Sequence, residues 1–172
     1  MNTKLLFLCV LMIFISGCVS VNIGEKVYTT GKIDLEMTVD SEYPNMVSQA
    51  RDQIDESIAN LTDEELKNVA FEYFENGFTF TRHNFFYPTS NLRDEGNWLI
   101  HRYVLIQTAQ INDFVEDSSN FNTSLVDGEI LIDMPGEIES YGLCQEYQDG
   151  RARCSLFNDI HLESTCWLFF CW

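Results

Sequence analysis

Cysteine is the residue type with the most chemical reach in this chain, and its positions sort it into three groups. Cys9 lies inside an apolar N-terminal run, Cys18 closes that run behind Ile15-Ser16-Gly17, and Cys144, Cys154, Cys166 and Cys171 fall within the last thirty residues. A thiol is the side-chain nucleophile able to carry a thioether-linked diacylglyceryl group, and small neighbours such as Ser16 and Gly17 let a peptidase approach the backbone closely. Cys18 is therefore the candidate lipidation residue. The four late cysteines read as up to two disulfides outside the cytoplasm, with three possible connectivities.

Other chemistry is thinly supplied. His83, His101 and His161 are far apart and match no metal-ligand spacing. No nucleophile elbow, phosphate loop or dinucleotide fingerprint occurs, and no Cys-x-x-Cys redox pair. The many carboxylates single out no acid–base couple. We expect no catalytic residues, no metal and no cofactor. Asn60-Leu61-Thr62 and Asn122-Thr123-Ser124 match the glycosylation acceptor pattern, a triplet that arises often by chance.

The segment that presents Cys18 has three parts: Lys4 near the start, an apolar run from Leu5 to Phe14, and small residues before the thiol. That is the build of a secretory signal, and its last four residues resemble the prokaryotic lipobox. The competing reading, an uncleaved anchor from Leu5 to Val21, needs a run of about 17–25 apolar residues and is disfavoured by the small-polar end. We expect residues 1–17 to be a signal peptide, residues 18–24 a lipidated cysteine with a short tether, and residues 25–172 one extracytoplasmic domain at the cell membrane. Two acyl chains on one cysteine anchor stably where one is marginal.

Without the leader, 9 basic side chains face 27 acidic ones, a formal charge of −18. Nucleic acid is excluded as a partner, since its binding begins with a basic surface. Electrostatic adhesion to anionic headgroups is disfavoured on the same ground.

The elements that would position these residues follow from periodicity. Lys32 to Asp40 alternates polar and apolar residues, the pattern of a half-buried strand. Val47, Ala50, Ile54, Ile58 and Leu61 fall at helical spacing, with Ser41 as a cap. A second helix is expected from a capping box at Thr62-Asp63-Glu64-Glu65, with Leu66, Val69, Ala70, Tyr73 and Phe74 as its buried stripe and Gly77 at its end. Strands are expected at Phe78–Thr81, Trp98–Ile111, Thr123–Leu125 and Glu129–Met134, the last two around an Asp127-Gly128 turn. Tyr141–Tyr147 and Arg151–Phe157 flank a hairpin turn at Asp149-Gly150. The order predicts an α+β fold: a mainly antiparallel sheet with a helix pair inserted after the first strand and packed on one face.

The hairpin bears on the cysteines. A two-residue loop Asp149-Gly150 puts Cys144 and Cys154 on opposite faces; a three-residue loop Gln148-Asp149-Gly150, with Gly150 left-handed, sets them opposite each other. We favour the second, which permits a Cys144–Cys154 disulfide and leaves Cys166 and Cys171 to pair.

Phe78, Phe80, Phe85, Phe86, Tyr87, Trp98 and Tyr103 cluster in the central segment. Aromatics at this density form an ordinary core or line an apolar cleft for a lipid tail or other amphiphile. The closing Cys166-Trp167-Leu168-Phe169-Phe170-Cys171-Trp172 is too short to span a bilayer and reads as a final buried strand.

Asp133-Met134-Pro135-Gly136-Glu137-Ile138, followed by Gly142 and by Asp149-Gly150-Arg151-Ala152-Arg153, resembles the LppM-type lipoproteins. There a lipobox leads into a charged-faced strand, helices, a Pro-Gly-x-Ile segment and a hairpin. The resemblance implies an envelope domain of α+β type able to hold lipid, and carries over no catalytic residues. Two functions follow as expectations: a membrane-anchored binding domain for a lipid or similar amphiphile, or a structural or protein-interaction module of the envelope.

Overall fold

The computed structural model describes residues 19–42, 47–48, 51–52, 54–55, 67–86, 90–108 and 126–167. Eleven strands are described: β1 (Val19–Val27), β2 (Ile33–Ser41), β3 (Val69–Phe74), β4 (Gly77–Phe85), β5 (Ser90–Asp94), β6 (Ile100–Gln107), β7 (Val126–Asp133), β8 (Glu137–Ser140), β9 (Gln145–Glu146), β10 (Ala152–Ser155) and β11 (Ile160–Trp167). They form a seven-stranded sheet in the order β3-β4-β2-β1-β7-β10-β9 and a four-stranded sheet in the order β5-β6-β11-β8. All pairings are antiparallel except β1 with β7.

The sheets face one another through alternating side chains. Val19, Val21 and Val27 of β1, Ile33, Leu35, Met37 and Val39 of β2, and Ile130 and Ile132 of β7 line the inner face of the larger sheet. Tyr103 and Leu105 of β6 and Ile160 and Leu162 of β11 oppose them. Leu105, Leu162, Ile33 and Ile132 are fully excluded from solvent. A side chain of this size contributes about 1.5–3 kcal/mol by full burial, so the facing rows are the main source of cohesion.

Among the described residues the expected helix pair is not there; Ala50, Ile58, Leu61, the capping box at 62–65 and Leu66 lie outside them. The stripe assigned to the second helix, Val69, Ala70, Tyr73 and Phe74, is strand β3, and Gly77 opens β4. The reason lies in period and partner: Val69, Phe71 and Tyr73 alternate on one face, and Phe71 lies 4.8 Å from the Phe80 ring. Glu75-Asn76 then makes a two-residue connection, Phe74 pairing with Gly77. Gly77 thus opens the returning strand and ends no helix. Among the described residues, α-helical backbone is confined to Val47, Ser48, Arg51, Asp52, Ile54 and Asp55, of which Val47 and Ile54 are buried. Ser41, expected as a helix cap, ends β2.

Three further expectations are corrected. Residues 19–24, expected as a tether, are the first two-thirds of β1, which sits between β2 and β7. Asp127-Gly128 is no turn, because β7 runs straight through it beside Val21. A Cβ on Gly128 would strike the Val21 carbonyl and the Leu156 side chain, so this glycine serves close packing. Trp98 and Leu99 precede β6 rather than opening it, Asn97 accepting from the Leu99 and Ile100 amides in a tight connection. Strand residues expected at Thr123–Leu125, the two glycosylation triplets and the leader with Cys18 lie outside the described residues.

The hairpin at Asp149-Gly150 takes the three-residue form. Ala152 pairs with Glu146 and Arg153 with Gln145, Gly150 is left-handed at φ 75°, and Cys144 is bonded to Cys154 with their Cα atoms 4.4 Å apart. Cys166 is buried and disulfide-bonded; its expected pairing with Cys171 lies outside the described residues.

Candidate functional site

Strand alternation gives β1 two unlike faces. Val19, Val21, Ile23, Glu25 and Val27 point between the sheets; Ser20, Asn22, Gly24 and Lys26 point outward. The same alternation turns Asp34, Glu36 and Thr38 of β2, Thr79, Thr81 and His83 of β4, and Glu129, Leu131 and Asp133 of β7 outward. All of these outward residues but Ser20 and Thr79 line a groove of about 610 Å³ on the outer face of the seven-stranded sheet, with Arg151 beside them. A second depression of about 590 Å³ shares Asn22 and Glu129 with it and runs on past Ser20, Gln145 and Arg153. The two depressions adjoin on the same sheet.

The end of the groove near β4 is held rigidly. Asp34 accepts from the Tyr28 hydroxyl at 2.8 Å and from the Asn84 backbone N–H at 2.7 Å, and His83 Nδ1 lies 3.2 Å from its second oxygen. Asn84 is left-handed (φ 56°) where the β2–β4 register slips between Ile33 and Leu35, a bulge just past His83 that returns Phe85 to the buried side. Burial works against the charged form of Asp34, but the Asn84 amide, Tyr28 and His83 outweigh it and hold its carboxyl below the usual range. Thr38 and Thr79 hydroxyls join across the strands at 3.2 Å. On the other wall, Glu129 is ion-paired with Arg153.

Gly24 is the informative lining residue. Its neighbours in β1 pair without interruption to β2 and β7, so no bulge requires it. An added Cβ would meet nothing closer than Glu36 O at 3.8 Å and Glu36 Cβ at 4.0 Å. Glycine inside a strand costs about 0.5–1 kcal/mol relative to alanine. Neither a steric nor a conformational need accounts for the glycine here.

The residues singled out from sequence are dispersed. Phe78, Phe80 and Phe85 of β4 and Tyr103 of β6 are core residues; Phe86 is 65% and Trp98 77% exposed; Tyr87 lies outside the described residues. The described aromatics thus divide between core and surface. The histidines each meet a different carboxylate: His83 with Asp34, His101 Nδ1 2.6 Å from Asp94, and His161 Nε2 3.6 Å from Glu163. Among the described residues no group of three or more His, Cys, Asp or Glu is arranged to hold a metal ion, and no helix is long and apolar enough to cross a membrane. The outward row of β1 is not among the residues expected from sequence, because its first six residues read as a tether; the alternation from Val19 to Val27 is the signal that marks it.

Two sheets in face-to-face contact, with an open polar groove on the larger one, define a two-sheet β domain with a candidate binding surface. No family model matches the chain, and no curated protein matches it. Among solved structures it is similar to the folded domain of the Mycobacterium tuberculosis LppM protein, determined by NMR, at 9% identity over 90% of this chain and 92% of that one, with a TM-score of 0.43.

Proposed function

We propose that this is a non-catalytic, extracytoplasmic binding domain, lipid-anchored through Cys18, whose binding surface is the groove across β4, β2, β1 and β7. The observation that carries it is Gly24, a glycine in the middle of a central strand and in the groove lining, where a Cβ would meet nothing closer than 3.8 Å. The lining sets the ligand class. Asp34, Glu36, Glu129 and Asp133 outnumber Lys26, His83 and Arg151, and the threonines supply neutral donors and acceptors. A polar, uncharged or cationic ligand fits such walls; an acyl chain does not. The lipid-tail reading of the aromatic segment is therefore the weaker one, because Phe78 and Phe80 already fill the core. Anchoring rests on the leader and on Cys18 standing one peptide bond from the start of β1, so the domain would be held close to the bilayer.

A thermal-shift screen of neutral oligosaccharides and of basic and neutral peptides, followed by amide-shift mapping of any binder, tests this. Perturbation centred on Gly24, Thr38, Thr81 and Glu129 is expected. Perturbation confined to Trp98, Leu99 and Trp167 would replace the groove by the exposed apolar end of the smaller sheet, and with it favour the protein-interaction reading.

A further inference from the structure

Glu25 stands on the apolar face of β1, 3% exposed, between Ile23 and Val27. Its strand neighbours across the sheet are Leu35 and Ile132. Its one hydrogen bond reaches the opposite sheet: Gln107 of β6, also 3% exposed, donates from Nε2 to Glu25 Oε1 at 3.2 Å. The two remaining side-chain atoms, Glu25 Oε2 and Gln107 Oε1, are buried and have no hydrogen-bond partner among the described residues. If Glu25 is ionised, both are acceptors and the pair is short of donors. One proton on Glu25 repairs both deficits, because a neutral carboxyl and an amide are complementary in donors and acceptors.

We infer that Glu25 and Gln107 form a proton-sensitive joint between the two sheets, holding them by a reciprocal pair of hydrogen bonds when Glu25 is neutral and more weakly when it is ionised. A buried carboxylate with a single amide partner is costly in a low-dielectric core, whereas the neutral acid is fully satisfied. Burial pushes the Glu25 carboxyl up to about 7, against a smaller downward pull from the Gln107 bond.

The surroundings leave the proton as the variable. Among the described residues, the ionisable groups on the inward rows are Tyr103, four residues along β6 from Gln107, His101, next on that row and stacked on Tyr103, Tyr73 of β3, and Arg82 of β4, which pairs with Leu35 and lies over the Phe85 ring at 4.4 Å. Asp94 of β5 is at the exposed end and bonded to His101. Cys154 and Cys166 are disulfide-bonded and do not titrate. Around Gln107 the paired residues are Ser90 and Ile160.

The sign follows from the raised value. The folded state holds the proton from the unfolded value of 4.5 up to about 7. The joint's contribution is therefore complete below 4.5 and lost as pH rises through about 7.

The test uses the full chain and Glu25→Gln, whose amide can donate to Gln107 Oε1 but cannot titrate. The ratio of wild-type to variant unfolding equilibrium constants should rise by about tenfold or more from about pH 5 to about pH 8. The Glu25 carboxyl carbon, followed by NMR in the wild type, should titrate near neutrality. A pH-independent ratio, or a Glu25 midpoint in the ordinary carboxylate range, would overturn the proposal. If Glu25→Gln does not fold, the wild-type titration decides alone.

Discussion

Two glycines on neighbouring strands show how differently one residue type is used. Gly128 has no room for a methyl group, because Val21 O and the Leu156 side chain occupy that space; Gly24 has room and does not use it. Gly128→Val should therefore overpack the sheet and cost about 1–3 kcal/mol, read as a lowered urea midpoint at unchanged slope. Asp34 carries a pH dependence opposite to that of Glu25. Its carboxyl is held below the usual range by Asn84, Tyr28 and His83 against the cost of burial, so its contribution is present above the unfolded value of 3.8 and is lost as pH falls through the lower folded value. In Asp34→Asn the stability lost relative to wild type should shrink as pH drops below about 4. A constant difference down to acid pH would show that the Asp34 charge is not what secures the bulge. Neither acid is singled out by the sequence alone: Glu25 is the single charged residue in the row Val19, Val21, Ile23, Glu25, Val27, but that row stays hidden while residues 19–24 read as a tether.

At the scale of elements, what was legible depended on whether neighbouring strands had to be known. Lys32–Asp40 reads as a strand from its own alternation and is β2 with a one-residue shift. The Asp149-Gly150 hairpin and its disulfide were legible because loop length fixes register locally. Residues 69–74 were not, since Val69 and Tyr73 satisfy both a helical and a strand period. What decides is the partner β4, whose Phe78 and Phe80 receive Tyr73 and Phe71. The parallel β1–β7 pairing was invisible for the same reason, about a hundred residues separating its two strands. The β9–β10 hairpin also yields a test: the double variant Cys144→Ala with Cys154→Ala should lose about 2–3 kcal/mol in denaturant unfolding. The same variant should leave groove residues such as Gly24 unaltered in their amide shifts.

The whole molecule combines an acidic composition, a core shared by two sheets and a cysteine, Cys18, one peptide bond before a central strand. The sequence points to the membrane through Cys18 and to an extracytoplasmic body through the expected leader and the late cysteines, and both stay proposals. It does not point to the groove, which exists only when outward residues of β4, β2, β1 and β7 are placed side by side. If the anchor is as proposed, labelled glycerol or fatty acid enters the wild-type chain and is lost in Cys18→Ser. Label retained in that variant would remove the lipid from the account.

The binding surface itself is tested most directly by adding a side chain at Gly24. Gly24→Val adds a β-branched side chain where the nearest atom to its Cβ is 3.8 Å away, in a strand that should welcome it. The account predicts that Gly24→Val is as stable as wild type or more so, by up to about 1 kcal/mol, while affinity for a groove ligand found by the screen falls at least about tenfold. A variant that binds that ligand as tightly as wild type would contradict it.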